Sequence, residues 1–376
     1  MSPVYLASGG VVCHTGRGLT ALSQGLLKPA IRPCHRSIEE LTPAIAVPYL
    51  PAVFPGCANR VVALAEAAVM DALTAFPPAR RQDMALFIAS STADLIGREQ
   101  SYAAAVARGE PALAWAKPST GLLAASIARQ FEIMGGQYTI NTACSSGVHA
   151  LMYAAAAIRR GDCARALVIG LECPGRVTFA GFHSLLLFTQ SHCRPFDRNR
   201  DGLILGEAAA AIVLDAAPEG PDFTGMRLLS AATACDTSRI TQIHPDAART
   251  LMRGALRNAG IDRVDAVKAH GTGTPDNDRA EAVAIAACVD VGRVPVTSLK
   301  SVLGHTLGAC GILETLAMAT CWREGWLPST AGFREPDTAL GLIPVTQAQA
   351  LPPGYMLLNY FGFGGNNGVL VMEYAP

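Results

Sequence analysis

A chain of 376 residues can bury a large core, as two ordinary domains or as one duplicated unit. Half of its residues are hydrophobic, 16% are charged and the formal charge is zero. Its basic residues stand singly or in pairs such as Arg80-Arg81 and Arg159-Arg160, which excludes the basic stripe of a nucleic-acid binder. The start, Met1-Ser2-Pro3-Val4, lacks a charged leader followed by an apolar run, and no apolar stretch is long enough to span a bilayer, so a cytoplasmic chain without membrane insertion is expected. The eleven cysteines are odd in number and show no C-x-x-C spacing. They predict mostly buried thiols in a reducing compartment. Cys13-His14, Cys34-His35 and His192-Cys193 are adjacent pairs, which rarely ligate one ion together, so no metal is expected.

In chain order, apolar runs that read as strands alternate with helix-period stretches. Val4–Ser8 precedes a helical Leu19–Leu27, and Ala85–Ala89 precedes a helical Leu122–Phe131. Ala166–Ile169 and Ala209–Leu214 read as buried strands, as do Val264–Lys268, Val294–Thr297, Met356–Leu358 and Val369–Glu373. The alternation predicts an α/β layered architecture. Residues 210–218 echo residues 368–376: a strand ends in an acid shortly before Ala-Pro. Read as duplication, this places a junction near Pro218–Pro221 and predicts two similar halves, residues 1–218 and 219–376.

Four segments hold candidate chemistry. In Thr142-Ala-Cys144-Ser-Ser-Gly-Val-His, a β-prone run leads into Cys144, and Val148, Leu151, Met152, Ala155 and Ile158 follow at helical spacing. Arg159, Arg160 and Gly161 mark the end of that helix. A cysteine at a helix N-terminus meets unpaired amides and the positive end of the dipole, which favour a thiolate and can bind an oxyanion. In Lys268-Ala-His270-Gly-Thr272-Gly-Thr274-Pro275, a strand end delivers His270 into a Gly/Thr-lined turn. Thr274 is placed to cap the next helix, and Asp276 and Asp278 complement its dipole. In Lys300-Ser-Val-Leu-Gly-His305, another strand end carries a cation and a base, with Glu314 on the following helix available to hold Lys300. Phe361-Gly-Phe363-Gly-Gly-Asn-Asn367 is a Gly-rich turn suited to close backbone approach. Taken singly, each has a plainer alternative: a buried structural cysteine, a loop histidine, a surface lysine with a capping histidine, an ordinary turn.

Together, T-A-C-S-S-G-V-H-A, R-P-F-D-R-N-R-D-G-L-I-L-G-E, H-G-T-G-T-P-x-x-D-x-A-E, K-S-x-x-G-H-x-x-G-A-x-G and F-G-F-G-G-x-N run in order from residue 142 to 368. They resemble the β-ketoacyl-acyl-carrier-protein synthases of the type I/II group, in the thiolase superfamily. The resemblance implies a thiolase-like fold of two similar halves in α-β-α-β-α layers. It implies that Cys144 takes the acyl group from a carrier-protein thioester, with the amides of Cys144 and Phe363 as oxyanion hole. His270 and His305 would hold the malonyl thioester during decarboxylation, and Lys300, tied to Glu314, would orient the site electrostatically. Thr272 and Thr274 look like phosphopantetheine contacts, Phe363 like a gate and Phe361 a further substrate contact, with Asp278 in support. It implies no cofactor beyond the carrier's phosphopantetheine, and as partners an acyl carrier protein and a second subunit. That subunit would complete a homodimer, or a heterodimer resembling a chain-length-factor pair.

The stretch 182–194 looks condensed relative to the family, and residues 30–60 and 90–120 match poorly. These are expected to shape the acyl chamber and dimer surface. Cys144 argues against cysteine-free chain-length factors and decarboxylases, Phe363 in place of a second cysteine against thiolases, and His305 against synthases primed by coenzyme A. A non-elongating acyl-binding partner subunit and a cysteine acyl hydrolase remain the alternatives.

Overall fold

The computed structural model describes residues 3–29, 31–38, 44–57, 59–110, 120–217 and 222–376. Among these, the main sheet is built from β1 (Tyr5–Cys13), β2 (Ala85–Ala89), β3 (Gln137–Ile140), β4 (Arg165–Glu172), β5 (Ala208–Asp215), β6 (Met226–Cys235), β7 (Ala266–Lys268), β8 (Val296–Thr297), β9 (Gly354–Phe361) and β10 (Asn366–Tyr374). They lie in the order β8-β7-β9-β10-β6-β1-β5-β4-β2-β3. From the β1/β6 seam outward, β5 and β4 join antiparallel and β2 and β3 parallel. On the other side β10 and β9 join antiparallel and β7 and β8 parallel. Each half thus runs first, fifth, fourth, second, third in its own chain order. Each also carries a register shift at the same point of its first strand, between Leu6 and Ser8 in β1 and between Leu228 and Ser230 in β6.

The segments that echo one another in sequence fall in β5 and β10, which occupy equivalent places. The expected junction at Pro218–Pro221 lies outside the described residues.

Five layers result. Helix α1 (Arg60–Ala72) covers an outer face with Leu64, Ala68 and Val69 against Leu86, Ile88, Leu167 and Ile169. Helices α2 (Ser146–Arg160) and α5 (Cys310–Arg323) fill the middle with Phe87, Val168, Ile212, Leu358 and Leu370. Helices α3 (Pro245–Ala259) and α4 (Pro275–Ala286) cover the far face over Val267, Leu357 and Val371. Leu86 and Ile88 face one layer and Phe87 the other, so these strands read as unbroken apolar runs without alternation. Helix α5 is buried from Cys310 through Trp322 and correspondingly has no polar face. Where α2 crosses α5 the spacing is set by glycine: a Cβ on Gly147 would lie 2.7 Å from Gly311 Cα, and one on Gly311 would lie 2.4 Å from Val148 N.

The strands and helices expected from sequence are present with shifted ends. Strand β6 and helices α1 and α3 were not anticipated. In β6, half-buried and buried residues alternate and the C-terminal end is exposed, so it lacks the continuous apolar run of its neighbours. A hairpin of Cys34–Ile38 and Ile45–Leu50 pairs with Leu205-Gly206. The expectation of mostly buried cysteines needs correction: of the ten besides Cys144, Cys34, Cys57 and Cys235 are exposed and Cys163 and Cys288 partly so. They sit in a hairpin, in loops and at element ends, outside the three layers of core.

Candidate active site

The strand ends β3, β7 and β8 and the β9–β10 turn converge on one cavity, lined by Cys144, His270, Thr272, Thr274, His305, Phe361 and Phe363. Leu187, Leu203 and Ile243 add apolar wall, and Thr241, Gln242, Asn277 and Asn367 add polar groups. Cys144, His270, Thr272, Thr274, His305, Phe361 and Phe363 are all residues that the sequence singled out.

Cys144 stands between β3 and α2, just before the helix N-cap Ser145. Ala143 before it has φ +53°, a strained value for a residue with a side chain, which throws the cysteine out of line with both elements. Ser146 Oγ accepts the Thr142 amide and donates to Ala143 O, holding the bend. Cys144 is 3% exposed. Burial pushes its thiol up to about 11, although the amides of Phe363 and Cys144 and the charge of Lys300 pull it down. The helix-end argument from sequence is therefore outweighed by desolvation in the resting site. Cys144 packs in an apolar cluster with Ile38, Val47, Tyr49, Phe179, Phe188, Leu203, Leu205 and Leu307. Part of the poorly matching segment 30–60 and part of 182–194 thus contribute to this cluster.

His270 leaves the end of β7 on a loop that α4 holds with two carboxylates. Glu281 accepts the amides of His270 and Gly271, each at 2.7 Å. Asp278 accepts those of Thr272 at 3.0 Å, Gly273 at 3.2 Å and Phe196 at 2.8 Å. The spacing of Asp278 and Glu281 puts both on one face of the helix, turned back on the loop. Thr274 occupies the N-cap position, but its side chain makes no capping bond. Its hydroxyl pairs with that of Thr272 at 2.8 Å, because both face the cavity.

His305 follows β8 and is braced by Ile204, whose carbonyl accepts its amide at 2.7 Å. Its ring lies edge-on to that of His270, 5.4 Å between centroids. Both imidazoles are held well below the ordinary histidine range, by burial first and then by the charges of Lys300 and Lys268. Both are therefore neutral at pH 7. Lys300, fully buried, gives its ammonium to Glu314, which outweighs the cost of burial and holds the lysine above its ordinary value.

Phe363 opens a single turn between β9 and β10 in which Gly364 and Gly365 have φ of +76° and +82°. A Cβ on Gly365 would lie 1.9 Å from Asp236 O, so only glycine fits. Phe363 stacks on Phe182 at 5.6 Å and 18°. Phe361 lies against His270, 5.6 Å between centroids.

Sequence reasoning passed over Glu281, Glu172 and Lys268. Glu281 stood within a quoted motif and could have been found from its spacing to Asp278. Glu172, fully buried at the end of β4, accepts from the Ser91, Thr92 and Gly308 amides at 2.9, 3.0 and 2.9 Å and from the Ser91 hydroxyl at 2.6 Å. It ties the β2 loop to the turn after His305, and an acid ending an apolar strand gives no sign of that. Among the described residues no cluster of His, Cys, Asp and Glu suits a metal ion, and no helix is long and apolar enough to cross a membrane.

Residues 60–219 match the family described as "Beta-ketoacyl synthase, N-terminal domain" and residues 227–334 the corresponding C-terminal domain. A 3-oxoacyl-[acyl-carrier-protein] synthase 2 of Coxiella burnetii is 32% identical over 262 residues, covering 65% of this chain and 63% of that protein. A chloroplastic synthase II of Arabidopsis thaliana is 29% identical over 69% of this chain and 50% of its own length. The chain thus spans less than two thirds of these curated relatives. Among solved structures, the ishigamide ketosynthase/chain length factor superposes with a TM-score of 0.89 at 26% identity, covering all of both chains. The two matched domains, the doubled strand order and the shared three-dimensional arrangement place this chain in the β-ketoacyl synthase family, with its thiolase fold.

Proposed function

We propose that the chain is an elongating β-ketoacyl-acyl-carrier-protein synthase, acting through Cys144, His270 and His305. The observation that carries this reading is one cavity lined by Cys144, His270 and His305 together with Phe363.

In the first half-reaction Cys144 Sγ attacks the carbonyl carbon of an acyl thioester, and the C–S bond to the phosphopantetheine breaks. The cysteine proton leaves with the departing thiol. The amides of Cys144 and Phe363 stabilise the oxyanion between these events, each such donor contributing about 3–4 kcal/mol. The acyl chain enters the apolar cluster around Cys144. In the second, His270 and His305 donate to the carbonyl oxygen of a malonyl thioester. The carbon–carboxylate bond breaks, carbon dioxide departs, and its electron pair forms the enolate. That carbanion attacks the acyl-Cys144 carbonyl, forming the new carbon–carbon bond and expelling the cysteine as thiolate. Covalent attachment makes this step effectively unimolecular. Neutral imidazoles suit the task because each keeps an N–H to donate without holding charge in a buried site. Lys300, held by Glu314, sets the local charge, and Thr272 and Thr274 contact the phosphopantetheine arm.

Two halves, residues 1–218 and 219–376, fit this reading, since the matched domains end at 219 and resume at 227. The partners are an acyl carrier protein and a second thiolase-fold subunit in the cytoplasm. The outermost strand β3 leaves Tyr138 51% exposed beside exposed Tyr153, an edge suited to pairing with that subunit. A ketosynthase solved in complex with its chain length factor, ApeO with ApeC of Xenorhabdus doucetiae, matched at 26% identity and a TM-score of 0.83, supports a heterodimer, with a homodimer as the alternative.

The test is intact-mass analysis after incubation with acyl-carrier protein, followed by malonyl-carrier protein. A stable acyl adduct that Cys144→Ala abolishes, and that malonyl-carrier protein discharges as a β-ketoacyl product, is the expected result. Discharge by water alone would identify a hydrolase, and absence of any adduct a non-catalytic subunit.

A further inference from the structure

The carboxylate that holds Lys300 also holds a second buried lysine. Lys268, on β7 and 0% exposed, donates to the other oxygen of Glu314 at 2.6 Å and to the carbonyl of Asn359 at 2.8 Å. Its Nζ lies 3.5 Å from the ring centroid of Tyr360, whose hydroxyl pairs with Thr315 at 2.8 Å. An ammonium has three N–H bonds, and a carboxylate, a carbonyl and a π face supply three acceptors. No donor is recorded toward it among the described residues that would serve the lone pair of a neutral amine. The site therefore buries two cations on one anion, an arrangement that costs desolvation energy and gains nothing in packing over an apolar side chain.

We propose that Lys268 is a positioning residue: by sharing Glu314 it leaves the buried cluster with a net positive charge, which adds to burial in keeping His270 and His305 neutral and donating. The inference rests on the synthase reading, in which neutral imidazoles are the working form.

The other charged and titratable groups around the two rings cannot supply this effect alone. Glu281 faces the His270 loop but spends both oxygens on backbone amides, with the Asn359 amide as a further donor to it. Asp278 is turned to Thr272, Gly273 and Phe196. Cys144 and Cys310 are thiols that burial keeps protonated, the latter donating to Cys144 O. Glu172 is engaged with Ser91, Thr92 and Gly308. Lys300 acts in the same direction but is matched by Glu314 when Lys268 is absent. Burial lowers the affinity of Lys268 for its proton and Glu314 offsets part of that, while both imidazoles respond to its charge.

The experiment is an imidazole titration of the histidine-labelled full chain by NMR, with His270→Gln and His305→Gln giving the assignments. In the parent both rings stay neutral well below the ordinary imidazole value. Lys268→Met, which keeps the stem and removes the charge, is expected to raise both midpoints by about one pH unit, the usual reach of one buried charge. Lys268→Arg should restore the parent values, and the acid limb of malonyl decarboxylation should move with the midpoints. A folded Lys268→Met or Lys268→Gln protein with unmoved midpoints overturns the proposal. So does the parent alone, whatever the variants' folding, if ¹⁵N shifts show a neutral Lys268 amine at pH 7. The titration needs no turnover: a parent that fails to elongate would remove the synthase reading and leave this result standing.

Discussion

The amide of Leu307 donates to Nδ1 of His305 at 3.2 Å. That bond fixes the ring proton of the neutral imidazole on Nε2. Leu307 itself sits at φ +46°, in the left-handed region. His305→Ala should therefore lower malonyl decarboxylation by about 10²–10³-fold, the loss typical of one oxyanion donor. His305→Asn, which retains an N–H donor, should fall between the two in a decarboxylation assay.

The buried thiol of Cys144 gives a second expectation. With its value pushed up to about 11, little thiolate is present at pH 7. Alkylation by iodoacetamide should climb about tenfold per pH unit between pH 7 and 10, since the thiolate is the nucleophile. A plateau near pH 8 would contradict it.

Stability should fall in acid. An unfolded chain protonates His270 and His305 near the ordinary value of 6.5, whereas the folded chain resists until far lower pH. The unfolded state thus binds more protons below pH 6.5. Folded stability is at its full level above that point and declines below it, by up to about 1.4 kcal/mol per pH unit per ring. Urea midpoints at pH 7 and pH 5.5 for the parent and for a His270→Gln, His305→Gln double variant measure this. The parent should lose more on acidification.

Glu172 has no catalytic atom to touch, yet the amides of Ser91, Thr92 and Gly308 and the hydroxyls of Ser90, Ser91 and Thr92 depend on it. Glu172→Ala would strand those buried donors and should cost about 3 kcal/mol or more in chemical unfolding, against a smaller loss for Glu172→Gln.

Phe182→Ala would remove the ring on which Phe363 stacks. An aromatic pair of this kind contributes about 0.5–1.5 kcal/mol. Acyl transfer to Cys144 should change by about threefold to tenfold with primer length, while decarboxylation stays near the parent rate. Single-turnover acylation with a ladder of primers reads the difference.

What could be read beforehand follows the range of the forces involved. Strands buried on both faces are continuous apolar runs, so β2 and β5 stand out in the sequence, and Cys144, His270 and His305 are marked by the strand ends and glycines beside them. Strand β6 is half exposed and gives no such run. Glu172 and Lys268 act through partners 136 and 46 residues away, which no local pattern encodes. The resting charge of Cys144 also escaped, because desolvation depends on packing from every side while a helix end is visible in the chain.

The glycine crossing of α2 over α5 has a bearing on substrate choice. With backbone touching backbone there, the spacing of the helices that follow Cys144 and His305 is set by the crossing and not by any side chain between them. Adaptation to longer, shorter or stiffer chains must then occur in the hairpin and the 182–194 segment, leaving the reacting trio untouched. Evolution of such a catalyst would proceed by relining its chamber around a fixed jig.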